Sequence, residues 1–153
     1  MTRPIYETGG QREAEARVAR LVAGRMGYEA HPLPLRYPLD YAFTRDSGAV
    51  ERWAEIKCRT VLSTAYPTYL LGLAKFLGLL SFQRDTNIPA LLIVQWTDRV
   101  GVLRLPCQYQ VRIGGRTDRA DPQDSEPCAM IATRQFQLLA NPSRAGSDPA
   151  QVE

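Results

Sequence analysis

The chain has 153 residues, of which 44% are hydrophobic and 23% are charged, proportions that are ordinary for a globular protein. This length predicts a single domain that buries about two-thirds of its unfolded surface. The formal net charge is only +3, and the sequence shows no polybasic tail that would by itself indicate nucleic-acid binding. No apolar run reaches the roughly 18–20 residues of a membrane span, because Lys75 interrupts the best candidate. Since no secretory signal precedes the first predicted helix, we expect a cytoplasmic protein.

The first predicted element is an amphipathic helix over Gln11–Met26. Apolar residues recur at helical spacing within this polar, arginine-rich segment. Gly9-Gly10 before it and Gly27 after it mark its ends. One face of this helix is therefore expected to pack on the rest of the domain.

Two strands joined by a tight turn are predicted next. Tyr37–Arg45 and Ala49–Lys57 are rich in β-branched and aromatic residues, and Asp46-Ser47-Gly48 between them is a turn signal. A two-residue loop at Ser47-Gly48 and a four-residue loop at Asp46–Ala49 give the same register, because both centre the turn between positions 47 and 48.

Three polar side chains converge at one end of this hairpin. In the predicted register Asp40 lies opposite Glu55, and cross-strand partners point to the same face with Cβ atoms roughly 4.5–5.5 Å apart. Lys57 shares that face, since side chains along a strand alternate with period two. Two carboxylates and one ammonium in this arrangement can hold a hard divalent cation and activate a water molecule. The pattern indicates metal-dependent hydrolysis, and we favour phosphodiesters as the substrate.

A buried helix and two strands are predicted after the hairpin. Thr64–Gln83 has Pro67 near its start and a long apolar run, which favours a mostly buried helix. Pro89–Trp96 is a continuous apolar run, as expected of a strand that is covered on both faces. Val100–Leu105 is expected to return as a further strand after Thr97-Asp98-Arg99.

The last third of the chain is less regular. Cys107–Ile113 alternates like a strand, and Ala129–Leu139 is a second strand candidate. Gly114–Pro127 between them has the composition of a loop. From Asn141 onward the chain carries too little apolar surface to offset ordering entropy, so we expect a disordered tail. The domain is therefore predicted to span residues 1–140.

Cysteine and histidine usage argues against several other kinds of site. The three cysteines, Cys58, Cys107 and Cys128, show no CxxC or Cys/His spacing, so we expect buried or half-buried thiols instead of structural zinc or an iron–sulfur cluster. The single histidine, His31, lies in a Pro-rich segment that is predicted to be a loop, without a nucleophile-elbow motif. Histidine-based nucleases and zinc hydrolases need more histidines than this chain has.

The hairpin motif and the order of elements together resemble the PD-(D/E)XK nuclease superfamily. In that family one strand carries the first acid and the next carries Glu-X-Lys, here Asp40 and Glu55-Ile56-Lys57. Leu39 precedes the acid where the nominal motif has Pro, and Pro stands at position 38, a variation that the family tolerates. The resemblance covers roughly residues 10–106. It implies an α/β protein with a restriction-endonuclease-like α-β-β-α-β-β core, in which helices flank a mixed central sheet.

The resemblance also implies a metal site and roles for its residues. Asp40 and Glu55 would bind Mg²⁺, for which Mn²⁺ would substitute, and the Ile56 backbone carbonyl would add a ligand. Lys57 would orient or deprotonate the attacking water. Members of the family often carry a further acid on the first helix, and Glu15 fits that position best because it lies at the edge of the buried stripe.

DNA is the implied partner, and six side chains are candidates to contact it: Arg59, Thr60, Tyr66, Lys75, Arg116 and Arg119. The family often has a basic or polar residue facing the site at the position of Lys75, although this side chain could equally snorkel to the surface. Arg116 and Arg119 alternate with acids in a loop that is otherwise expected to be solvated and self-neutralising. A homodimer would supply the two active sites that a two-strand cut needs, although the sequence shows no interface.

Three functional classes follow from these features. The first is an endonuclease that cuts junction or branched DNA, or cuts with weak sequence dependence, similar to small phage and archaeal resolvases. The second is a DNA-binding or assembly protein that retains the fold without turnover. The third, a hydrolase of small phosphorylated molecules, lacks a Gly-rich phosphate loop. A simple Glu–Lys surface salt bridge, worth under about 1 kcal/mol, would not explain an acid in register at position 40.

Overall fold

The computed structural model describes residues 9–115 and 125–139. Within these ranges the helices are α1 (Gly9–Arg25) and α2 (Leu73–Thr86). The strands in chain order are β1 (Glu29–Pro32), β2 (Tyr41–Thr44), β3 (Val50–Cys58), β4 (Thr68–Gly72), β5 (Ala90–Gln95), β6 (Val100–Arg104), β7 (Gln110–Gly115), β8 (Ser125–Ala132) and β9 (Gln137–Leu139). Neither of these helices is both long enough and apolar enough to cross a membrane. The predictions for Arg116, Arg119 and the tail from Asn141 lie outside the described residues.

Six strands form the main sheet, in the order β1-β2-β3-β5-β6-β9. The β3–β5 pair is parallel and the other four pairs are antiparallel. A parallel pair needs a crossover connection, and α2 lies in the connection between β3 and β5. The elements α1, β2, β3, α2, β5 and β6 follow one another as predicted, which confirms the mixed α/β core.

Two apolar clusters cover the two faces of the main sheet. On one face α1 packs through Val18 and Val22 against Ala54 and Ile56 of β3. On the other face, residues of β5 and α2 join the second sheet in a larger cluster that includes Phe76, Leu79, Leu92, Val94 and Ile131. The side chains of β3 alternate between these faces, so Glu55 and Lys57 belong to the face opposite α1.

The predicted helix over Thr64–Gln83 is wrong in its first half. Thr68–Gly72 is strand β4, which pairs antiparallel with β8 in a second sheet of order β4-β8-β7. Tyr69 and Leu71 are buried while Leu70 is 39% exposed, the alternation of a strand. The apolar run suits a helix and a strand equally, and pairing with a distant segment decided between them. Helix α2 begins only at Leu73 and extends to Thr86.

The prediction also missed β1 and placed the start of β2 too early. His31, expected in a loop, lies in β1 opposite Ala42 of β2, and its side chain is exposed. Strand β2 begins at Tyr41 rather than Tyr37, since the preceding residues form bends. The Pro residues around His31 hid the strand from pattern reasoning, because proline is tolerated at an edge strand and β1 is an edge of the main sheet.

The turn between β2 and β3 differs from the prediction, but the register beyond it does not. Arg45 N donates to Ala49 O (3.1 Å), so the loop has three residues, and Gly48 adopts a positive φ of 80°. An irregularity in the pairing next to Phe43 then inserts one extra residue in β3. Because the two deviations cancel, Tyr41 pairs with Ala54, as in the predicted register.

The last predicted strand, Ala129–Leu139, is divided between the two sheets. Its first part belongs to β8, a 3-10 turn follows at Thr133–Gln135, and Gln137–Leu139 forms β9 beside β6 in the main sheet. The other predicted strand of this region is confirmed as β7, which begins three residues later than expected, at Gln110.

Candidate active site

Asp40 is held at the end of the β2–β3 pair by three hydrogen bonds. Its backbone N donates to Ala54 O (3.2 Å), and its backbone O accepts from Leu33 N (2.9 Å). Its carboxylate Oδ2 accepts a hydrogen bond from Ile56 N (2.9 Å). If β2 extended this far, a backbone carbonyl of β2 would accept that bond instead. These bonds hold the Asp40 carboxylate beside β3. It lies next to the position opposite Glu55 that the register predicts.

Glu55 is a buried carboxylate with a lysine on each oxygen. Its side chain is 1% exposed, and Lys57 Nζ lies 3.4 Å from Oε2. Lys75 Nζ, from the first turn of α2, lies 3.4 Å from Oε1. That contact lacks hydrogen-bond geometry, and Oε1 is a buried oxygen without a hydrogen-bond partner. A buried carboxylate oxygen that accepts no hydrogen bond is costly even beside an ammonium, so Oε1 stays available to a further cation.

The electrostatics of Glu55 reflect this incomplete compensation. Burial, followed by the negative charge of Asp40, raises the pKa of Glu55 to about 7, although Lys57 and Lys75 act to lower it. Near neutral pH the carboxylate of the metal-free protein is therefore only partly ionised. A divalent cation beside Oε1 would favour the ionised form, since an opposite charge at close range lowers the pKa of a carboxyl group.

The donors around this point fit a hard cation such as Mg²⁺. The carboxylates of Asp40 and Glu55 are oxygen donors, and so is the backbone carbonyl of Ile56, which points to the same side of β3 as the N–H that binds Asp40. Within residues 9–115 and 125–139 no group of three or more His, Cys, Asp or Glu side chains could hold a metal. Two carboxylates suffice for Mg²⁺, because this ion keeps several waters and takes substrate phosphates as ligands.

Lys57 lies at the boundary between the buried carboxylate and solvent. Its position in β3 places it on the same face as Glu55, and 32% of its side chain is exposed. The ammonium is thus anchored by Glu55 Oε2 while remaining accessible to a water molecule. This is the geometry expected of a group that orients a nucleophile.

The predicted acid on the first helix lies within electrostatic range of Cys58, the residue after Lys57. Glu15 lies where its charge, after burial, contributes to raising the pKa of the Cys58 thiol. Cys58 packs with the α1 cluster, on the face of β3 opposite Glu55 and Lys57. The structure thus brings Asp40, Glu55 and Lys57 together and groups Glu15 with Cys58. The role of Glu15 as a metal ligand stays a prediction.

The side chains predicted to contact DNA lie just past the site along the chain. Arg59 follows β3 and is exposed, and its guanidinium donates to Tyr69 Oη (2.7 Å) while lying 5.0 Å from the centroid of that ring. Thr60 is exposed as well, and Tyr66 is 64% exposed. Sequence reasoning missed the pairing of Arg59 with Tyr69, because it depends on β4 being a strand.

Tyr69 links this exposed arginine to the site. Burial, chiefly, and the charge of Glu55 raise the pKa of Tyr69 well above its ordinary value, so its hydroxyl stays protonated. Its ring packs edge-on against Trp96 and Phe136. Arg59 is therefore held on a rigid aromatic support rather than moving freely in solvent.

Lys75 faces the site and does not snorkel away from it. Besides its contact with Glu55, its ammonium donates to the backbone O of Pro38 (2.7 Å), two residues before Asp40. Sequence reasoning left its direction open and missed both contacts. The only available signal was a lysine inside an apolar run, which indicates a special position but no partner.

Among solved structures the chain is similar to Hjc from Archaeoglobus fulgidus, a Holliday junction resolvase from an archaeal hyperthermophile. The TM-score is 0.49 at 15% sequence identity, with 82% of this chain and 95% of that chain covered. No curated protein matches the sequence. The family described as "Phage putative PDDEXK endonuclease" matches residues 1–139 of the 153-residue chain. The chain therefore belongs to this family of phage PDDEXK endonucleases.

Proposed function

We propose that the protein is a metal-dependent endonuclease that hydrolyses phosphodiester bonds of DNA. The observation that carries this proposal is the buried Oε1 of Glu55, which has no hydrogen-bond partner and lies beside a second, backbone-anchored carboxylate. A fold that needed these side chains only for stability would gain by satisfying this oxygen or replacing it. A buried carboxylate oxygen that accepts no hydrogen bond is available to a cation.

Asp40, Glu55 and the Ile56 carbonyl are the groups that would hold Mg²⁺ or Mn²⁺. Such an ion, when bound, polarises the scissile phosphate and lowers the pKa of a bound water. Asp40 contributes a carboxylate whose orientation is preset by the Ile56 N–H, so little ordering is needed on binding. Glu55 contributes an oxygen from a dry environment, where its attraction for a cation is strong.

Lys57 is assigned the task of positioning the nucleophile. Its ammonium is tied to Glu55 Oε2 at 3.4 Å and is partly exposed, so one of its protons can point toward a water while another faces the carboxylate. A cation at this point stabilises negative charge that develops on the phosphate oxygens. Removing one such preorganised donor typically costs about 10²–10³-fold in rate.

DNA binding is assigned to the exposed residues that follow β3, with Arg59 as its most firmly supported member. Backbone contacts position DNA without reading its sequence. We therefore favour cleavage that depends on DNA structure, such as junctions or branches, or only weakly on sequence. A homodimer would bring two sites to one DNA molecule, and analytical ultracentrifugation with and without a four-way junction tests this part of the proposal.

The proposal is tested by a cleavage assay at low salt with Mg²⁺ or Mn²⁺ on supercoiled plasmid, linear duplex, single strands, a flap and a four-way junction. We expect metal-dependent cutting by the wild type, loss of cutting in Lys57→Ala, and wild-type behaviour in the control Arg104→Ala. Arg104 is exposed on β6, on the side of the sheet that carries α1. DNA binding without cutting on any substrate would contradict the proposal and favour a non-catalytic DNA-binding or assembly protein.

A further inference from the structure

Lys75 occupies a position in α2 that ordinary helix energetics disfavours. It is the third residue of the helix, and a positive charge in the first turn opposes the helix dipole. Neither an acidic residue in that turn nor a side-chain cap at Gly72 compensates for it. The helix itself therefore gives no reason for a lysine at this position.

The contacts of Lys75 supply that reason. Its ammonium donates to Pro38 O at 2.7 Å and lies 3.4 Å from Glu55 Oε1, and 31% of its side chain remains exposed. The strong hydrogen bond is thus made to the backbone, while the carboxylate oxygen receives charge without a hydrogen bond. Glu55 Oε1 is also the oxygen that the proposed function assigns to a divalent cation.

We propose that Lys75 is the resident counter-ion of Glu55 in the metal-free protein and that it competes with the divalent cation for this carboxylate. This inference rests on the proposed function and goes beyond it, because it makes a residue of the chain the regulator of metal occupancy. The Pro38 carbonyl gives the ammonium a second partner, which it keeps when the cation takes Glu55. Two positive charges beside one carboxylate repel, so bound metal and Lys75 disfavour each other.

A role of Lys75 in holding DNA predicts a different result. In that case its removal would weaken DNA binding and leave metal affinity unchanged. The competition predicts that removing its charge strengthens metal binding in the absence of DNA. Metal affinity of the DNA-free protein therefore separates the two roles without any measurement of turnover.

The experiment measures Mn²⁺ binding by the loss of the free-ion electron paramagnetic resonance signal, under argon at pH 8.5. The proteins are the wild type, Lys75→Met, Lys75→Gln, the charge-preserving Lys75→Arg, the remote control Arg104→Met and the ligand-removal control Asp40→Asn. The pH is set high so that protons compete little with the metal for carboxylate ligands. Circular dichroism establishes that each variant is folded. Two uncharged variants are used so that the test still stands if one of them does not fold.

We expect Lys75→Met and Lys75→Gln to bind Mn²⁺ roughly 5- to 10-fold more tightly than the wild type. Lys75→Arg and Arg104→Met should match the wild type, and Asp40→Asn should bind far more weakly. If both uncharged variants bind Mn²⁺ as the wild type does or more weakly, and wild-type binding depends on Asp40, the inference about Lys75 is wrong. The metal site of the proposed function would still stand. Binding that does not depend on Asp40 in any of the proteins would overturn the metal site of the proposed function together with the inference.

Discussion

Neighbouring residues of β3 lie in two environments that are equally dry and chemically opposite. Ala54 and Ile56 are fully buried against the α1 cluster, and Glu55 between them is 1% exposed on the other face. Apolar side chains need only close packing, whereas a buried carboxylate needs compensating charge and hydrogen bonds. Glu55 receives the charge of two lysines but no hydrogen bond to Oε1. Burial alone thus does not distinguish a core residue from a site residue. The missing hydrogen bond to Glu55 Oε1 does.

The largest effect that we expect is on the charged face. Glu55→Gln keeps the shape of the side chain and removes its charge, so DNA cleavage at saturating Mg²⁺ should fall by about 10²–10³-fold. The protein should not be destabilised and should melt at a higher temperature above neutral pH, because the neutral amide removes a buried charge and the two lysines, each about one-third exposed, can turn to water. Cleavage rate and thermal melting on the same preparation check this. If Glu55→Gln cuts at the wild-type rate, Glu55 is not part of the active site.

The opposite outcome is expected one residue along the strand. Ile56→Ala opens a cavity in the α1 cluster and should lower the free energy of unfolding by about 2–5 kcal/mol. The backbone N–H that binds Asp40 is retained, so the folded fraction should still cleave. Urea unfolding and the activity of the folded protein measure the two effects separately. A loss of activity in the folded protein as large as that of Glu55→Gln would erase the contrast between the faces.

A pH dependence of stability should arise from Glu55 and be absent on the apolar face. Its pKa is about 7 in the folded protein against an ordinary 4.5, so the folded protein binds the proton more tightly than the unfolded chain. The protonated side chain therefore adds stability that is present below pH 4.5 and is lost as the pH rises through 7. The loss is on the order of 3 kcal/mol. Unfolding with EDTA at pH 5 and 8.5, in the wild type and in Glu55→Gln, isolates this contribution as the difference between the two proteins.

The smallest predicted effect concerns Arg59, at the exposed margin of the charged face. Arg59→Met should weaken DNA binding uniformly across sequences and reduce the slope of log K against log[salt] by about 0.9, the value for one phosphate contact. Thermal stability should fall modestly, because the exposed Arg59 donates a hydrogen bond to the hydroxyl of the buried Tyr69. Fluorescence anisotropy with catalytically inactive Lys57→Ala as the background measures the slope, with Arg104→Met as the control. An unchanged slope would show that Arg59 makes no phosphate contact and that other residues bind the DNA.

The register of the β2–β3 pair shows how far pattern reasoning reaches. The turn was predicted with the wrong number of loop residues, yet Tyr41 pairs with Ala54 as expected. A slip of one residue would have turned Ala54 and Ile56 away from α1 and turned Glu55 toward it. The extra residue in β3 absorbs the difference, because burial of the apolar face is worth more than regular pairing near an exposed turn.

Strand β4 shows where such reasoning stops. Its apolar residues suit a buried helix or a buried strand, and only β8, which follows much later in the chain, decides between them. The same distance problem applies to Lys75. Its partners, the Pro38 carbonyl and Glu55, lie on separate segments that come together only when α2 packs on the sheet.

By itself the sequence determined which chemistry is available: an acid in register with Glu-X-Lys, on a strand whose alternate residues are apolar. Local alternation and the order of elements carry that information, since both depend on residues close together in the chain. The tertiary structure decided that Glu55 is dry, that its Oε1 lacks a hydrogen bond, and that a lysine from α2 stands beside it. Burial and charge compensation are properties of segments that meet in space, and no local pattern records them.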